Sequence, residues 1–91
     1  MTIDELWSLW RRADGKCEVT GIPFSLVRTG GRSVTARPWI PSVDRISCAV
    51  GYEQNNCRIV CHAVNMAMNQ WGEKFLMRIA KALYGRNVVD E

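Results

Sequence analysis

The chain has 91 residues, 47% of them apolar and 23% charged, with a formal net charge of +3. That length supports one domain whose small core needs a metal, a partner or very good packing to be stable. The composition excludes a disordered chain, no apolar run is long enough for a membrane span, and the acidic opening Met1-Thr2-Ile3-Asp4-Glu5 is unlike a secretory signal, so a cytoplasmic protein is expected.

A helix is predicted over residues 2–14. Thr2 as N-cap and Glu5 three residues later make a capping box, Ile3, Leu6, Trp7 and Trp10 share one face, and Asp14-Gly15 stops it. Cys17 to Phe24 contains Thr20-Gly21 and Pro23 and shows no helical period, which reads as a turn between short extended pieces. After Glu18 no acidic residue occurs until Asp44, and the interval holds Arg28, Arg32 and Arg37 among Thr29, Gly30, Gly31, Ser33 and Thr35. Such a loop suits phosphate contacts, so these arginines are candidate nucleic-acid-binding residues; a solvated basic loop has the same composition.

Pro38 and Pro41 force extended backbone around Trp39-Ile40, and residues 42–46 alternate polar and apolar as a half-buried strand does. Gly51-Tyr52 marks a turn, and 56–61 is a second strand. From 62 to 71 Ala63, Met66, Ala67 and Gln70 recur at helical spacing until Gly72. A last helix over 73–84 is predicted to turn Phe75, Leu76, Ile79, Ala80 and Leu83 to the core and to end at Gly85. The fold class expected is α+β, a short antiparallel hairpin packed with one N-terminal and two C-terminal helices in a single domain over 1–91.

Four tryptophans, at 7, 10, 39 and 71, are many for this length. Core packing predicts at least three of them mostly inside, and an exposed one can stack on a base or fill a partner's pocket. The cysteines at 17, 48, 57 and 61 are expected as free thiols, and with His62 they raise the question of zinc.

The pieces Pro41-Ser42-Val43-Asp44-Arg45-Ile46, Gly51-Tyr52, Asn56-Cys57-Arg58-Ile59-Val60-Cys61 and Asn65 follow one another in the order strand, turn, strand, helix. Upstream lie Trp10 and Cys17-x-x-Thr20-Gly21-x-Pro23-Phe24. In this order and spacing the chain resembles, over most of its length, the HNH endonuclease superfamily, above all its small phage and prophage members. The resemblance implies a ββα-metal core at about residues 40–71 that hydrolyses phosphodiester bonds of DNA. Asp44 and Asn65 would share a divalent ion, Mg²⁺ or Mn²⁺ by the preference of hard cations for oxygen. Asn56 would brace the loop and orient the base, and Asn69, four residues after Asn65, can add a further oxygen.

One position departs from that pattern. The histidine that follows the strand aspartate in most of the family is Arg45 here, which cannot accept a proton. Arg45 suits a grip on the scissile phosphate, with Arg58 beside it in the basic set facing nucleic acid. The water is then activated by His62, the only imidazole available, or by metal-bound hydroxide, or the domain binds without cutting. Taken singly the same residues have structural readings: Asp44 paired with Arg45 or Arg58, the asparagines as turn and cap residues, His62 facing solvent.

The structural zinc that many relatives hold through two Cys-x-x-Cys pairs is not expected, because the matching positions read Cys17-x-x-Thr20 and Cys61-x-x-Val64. Cys17 and Cys61 can still lie close as buried thiols, and a site of Cys17, Cys57, Cys61 and His62 is the alternative. Three functions follow: a metal-dependent DNA endonuclease or nickase; a catalytically inactive module of the same scaffold that binds DNA or a host protein, as a phage accessory or inhibitor protein would; and a zinc-stapled interaction module.

Overall fold

The computed structural model describes residues 1–27, 37–47 and 49–89. Its elements are α1 (Ile3–Ala13), β1 (Pro41–Arg45), a 3-10 turn (Gln54–Asn56), β2 (Cys57–Cys61), α2 (His62–Met68) and α3 (Glu73–Val89). The fold is α+β, with β1 and β2 forming a two-stranded antiparallel hairpin and three α-helices around it.

The Thr2 hydroxyl accepts the Glu5 N–H at 3.2 Å, and Asp14 closes α1 in the left-handed conformation at φ 54°. Asp4 and Glu5 in the first turn and Arg11 and Arg12 in the last complement the helix dipole. The buried stripe, however, is Leu9 and Ala13, and the predicted core face of Ile3, Leu6, Trp7 and Trp10 is exposed. Apolar residues cover about half of this helix, and a hairpin of two five-residue strands has room to cover only one edge of them. The expectation for the tryptophans fails with it: Trp7, Trp10 and Trp71 are exposed and Trp39 is half-buried.

Residues 16–23 fold back on themselves. Lys16 and Pro23 bridge, Cys17 N–H donates to Ile22 O at 2.9 Å, and Gly21 N–H donates to Cys17 O at 2.8 Å, with Gly21 at φ 76°, where a side chain would be strained. The turn delivers Glu18 to the outer edge of β2. Glu18 N–H donates to Ile59 O at 2.9 Å, and its carboxylate accepts Ile59 N–H at 2.6 Å and Arg12 Nε at 2.6 Å. One residue thus satisfies an open strand edge and ties α1 to the hairpin. Burial opposes the Glu18 charge, but the bonds from Arg12 and Ile59 outweigh it and hold the carboxyl below its ordinary value.

The register pairs Val43 with Ile59 and Asp44 with Arg58. Because side chains alternate across a strand, neighbouring pairs point to opposite faces. Ile59 and Cys57 join Leu9 and Ala13 in one core cluster, with Val43 packed on it; the other cluster holds Cys17, Val60, Cys61, Val64 and Met68, with Leu76 packed on it. The thiols of Cys17, Cys57 and Cys61 are free and buried, and Cys17 and Cys61 share a cluster as expected. Cys57 belongs to the cluster under α1, away from them, and Cys48 lies outside the described residues.

Two helix ends differ from the sequence expectation. α2 stops at Met68, not near 71, because Asn69 adopts φ 45° and breaks the helical path. α3 starts at Glu73 as predicted but runs through Gly85 to Val89, since one glycine costs a helix only about 1 kcal/mol and no left-handed turn is formed there. Its expected core face is not covered either. Phe75, Ile79 and Leu83 are exposed, and Leu76 alone of that set packs on a buried cluster. No helix among the described residues is long and apolar enough to cross a membrane.

Candidate functional site

A polar cleft of about 340 Å³ lies where β1 meets the end of α2, lined by Val43, Asp44, Arg45, Tyr52, Asn65, Asn69 and Gln70. Asp44 and Asn65 are therefore neighbours in space. Asn65 reaches the strand because α2 follows β2 directly and lies back across the hairpin; its Nδ2 donates to Ser42 Oγ at 2.7 Å and to Val43 O at 3.5 Å, just before Asp44. Asn65 Oδ1 takes no hydrogen bond among the described residues.

Asp44 is buried, and its Oδ2 accepts Arg58 Nε at 2.8 Å. Arg58 continues to Glu73 Oε2 at 3.0 Å, so one guanidinium joins β1, β2 and the start of α3. Burial works against the Arg58 charge, and the two carboxylates outweigh it and raise its pKa. With a side chain 16% exposed and paired with two carboxylates, Arg58 does not line the cleft. Of the two structural partners the sequence left open for Asp44, Arg58 is the one that pairs with it.

Arg45 borders the cleft. Its guanidinium carbon lies 5.0 Å from the centre of the Tyr52 ring, and it enters no ion pair among the described residues. Asn56 is buried behind the loop that carries Tyr52. Its Oδ1 accepts Ser47 N–H at 3.0 Å, and its Nδ2 lies within 3.0–3.2 Å of the carbonyls of Ser47, Val50 and Gly51. This is the bracing role the sequence suggested. The second role, orienting a base, finds no partner, because every contact of the amide is to backbone.

His62 opens α2 with its N–H donating to Ile40 O at 2.8 Å, is half-buried, and does not line the cleft. Arg37 is half-buried, with its Nε lacking a hydrogen-bond partner among the described residues. Arg28 and Arg32 lie outside the described residues. The structure thus brings Asp44, Arg45, Asn65 and Asn69 together and leaves Asn56, Arg58 and His62 outside the lining.

To a cation the cleft offers one carboxylate and the amide oxygens of Asn65, Asn69 and Gln70. Asp44 Oδ1 takes no hydrogen bond among the described residues. That hard oxygen set with a single charge fits Mg²⁺ or Mn²⁺ retaining several waters, and it suits zinc poorly. No group of three or more His, Cys, Asp or Glu side chains placed to hold a metal occurs among the described residues. Since the Asp44 charge is shared with Arg58, a cation here would be held weakly by the protein's own groups.

No family model, curated protein or solved structure matches the chain.

Sequence reading missed three residues of this neighbourhood. Tyr52 served as a turn marker and a piece of the family pattern without a site role, Gln70 only as a helical position, and Glu73 only as the start of a helix. Glu73 had the faint signal of an acidic residue in a first helical turn, but its link to Arg58 spans fifteen residues and has no local pattern.

Proposed function

We propose that this chain is an HNH-like DNA endonuclease or nickase that hydrolyses phosphodiester bonds in the Asp44–Asn65 cleft with a divalent cation. The observation that supports this reading is the convergence of a strand carboxylate and a helix amide on one cleft whose rim carries Arg45, a guanidinium in no ion pair among the described residues. Asp44 and Asn65 would hold Mg²⁺ or Mn²⁺, which when bound supplies charge stabilisation for the departing oxygen and a more acidic coordinated water. Arg45 grips the phosphate, its planar fork aligned by the Tyr52 ring. Arg58 and Glu73 orient the Asp44 carboxylate from behind, and Asn56 keeps the Tyr52 loop in place. No imidazole borders the cleft among the described residues; His62 opens α2 outside its lining.

That last point favours a second reading, in which the same scaffold binds DNA or a host protein without cutting it, as a phage accessory or inhibitor protein would. Supercoiled plasmid and single-stranded DNA incubated with Mg²⁺ or Mn²⁺ separate the two. Nicking or linearisation that Asp44→Asn and Asn65→Ala abolish is the expected result. Intact DNA with every common divalent ion, together with salt-sensitive retention on DNA, selects the binding reading. Neither cleavage nor retention would remove nucleic acid as the partner.

A further inference from the structure

We propose that the exposed face of α1 is a self-association surface, on which α1 of a second copy of this chain packs antiparallel. Ile3, Leu6, Trp7 and Trp10 are 75%, 43%, 53% and 40% exposed and occupy one side of the helix. They form one wall of an apolar trough of about 440 Å³ to which Val43 and Ile59 also contribute. Two half-open indoles and two aliphatic side chains leave on the order of 500 Å² of apolar surface in one patch, the size that marks interaction sites. A standard interface takes roughly 800 Å² from each partner, so this face supports a reversible dimer once its rim joins in.

The rim identifies the occupant. Asp4 and Arg11 stand on the helical wheel next to Trp7, on its solvent side, seven residues or two turns apart. Neither takes part in an ion pair among the described residues. A twofold axis between the two helices, perpendicular to them and level with Trp7, sets Asp4 of each copy against Arg11 of the other, with Ile3 toward Trp10 and Leu6 toward Trp7 across the seam. In the parallel arrangement the twofold runs along the helices and carries these charges to opposite flanks, where neither meets a partner. The face is therefore complementary to itself in one orientation, which is the requirement for a closed isologous dimer. Val43 packs on the cluster under α1 and borders both the trough and the Asp44 cleft, so the self-association surface adjoins the cleft.

Sedimentation equilibrium of the full chain from about 5 to 500 μM tests this, with tryptophan emission read alongside. Expected is a concentration-dependent dimer with blue-shifted emission, and a monomer at every concentration for Trp7→Glu. Ile3→Glu gives the same loss by a route independent of the indole, and circular dichroism checks that each variant is folded. Asp4→Arg and Arg11→Asp each weaken the dimer about tenfold, since either reversal turns two attractive contacts repulsive. The double reversal restores it to within a factor of about three of the original chain, by the same pairing. A monomer at 500 μM, a dimer that survives both glutamate substitutions, or a double reversal as weak as the single ones would overturn the proposal.

Discussion

The hairpin presents two faces one residue of register apart, and they are built on opposite terms. Val43 and Ile59 lie under α1 with Leu9 and Ala13, where the side chains contribute by burial of apolar surface. Asp44 and Arg58, the next pair, form a mostly buried ion pair extended to Glu73. Desolvating two charges generally costs as much as their attraction returns, and apolar residues of equal volume would hold two strands together at least as well. Stability therefore accounts for the first face and does not account for the second. What the ion pair achieves is placement: it holds one carboxylate still at the edge of a cleft, with one oxygen left over.

The comparison is broken most severely at Asp44. Asp44→Ala leaves Arg58 with only the more exposed Glu73 as ionic partner, and a loss of about 3 kcal/mol is expected in urea unfolding; if the chain is the proposed endonuclease, cleavage falls at least about a hundredfold as well. The double variant Asp44→Leu with Arg58→Met sharpens the point: unfolding free energy returns to within about 1 kcal/mol of the original, while any loss of the proposed cleavage is not restored. A double variant less stable than Asp44→Ala alone would mean that the pair is there for stability after all.

Leu9→Ala probes the apolar face. A cavity at this fully buried position should cost about 3 kcal/mol in the same assay, with activity per folded molecule unchanged. Asn56→Ala removes the loop brace; about 2 kcal/mol is expected, and hydrogen exchange over 46–51 should quicken well before that of β2.

Glu18→Gln loosens the join between α1 and β2 and is expected to cost about 1.5 kcal/mol at pH 7. The folded carboxyl titrates below its ordinary value of 4.5, so its contribution is complete above that pH and disappears as pH falls through the lower folded value. Unfolding curves of the two proteins should therefore converge in acid, and a gap at pH 3 as wide as at pH 7 would contradict the ion-pair account. Smallest is Tyr84→Ala on the distal part of α3, where the exposed ring predicts a change within about 0.5 kcal/mol.

Much of this architecture is legible in residue order alone, because it depends on neighbours in the chain. The Thr2–Glu5 cap, the stop at Asp14-Gly15, the two strands either side of Gly51-Tyr52 and the start of α3 each rest on contacts within a few residues. Asn56 as a loop brace is local in the same way, with partners five to nine positions back. Choosing among equivalent surfaces was left to the tertiary structure. Helical periodicity marks both Leu9–Ala13 and Ile3–Leu6–Trp7–Trp10 as apolar stripes, and only the width of a small hairpin decides which one is covered. Likewise the partner of Asp44 is Arg58 and not the adjacent Arg45, because strand register sets residues fourteen apart side by side while Arg45 packs over the Tyr52 ring.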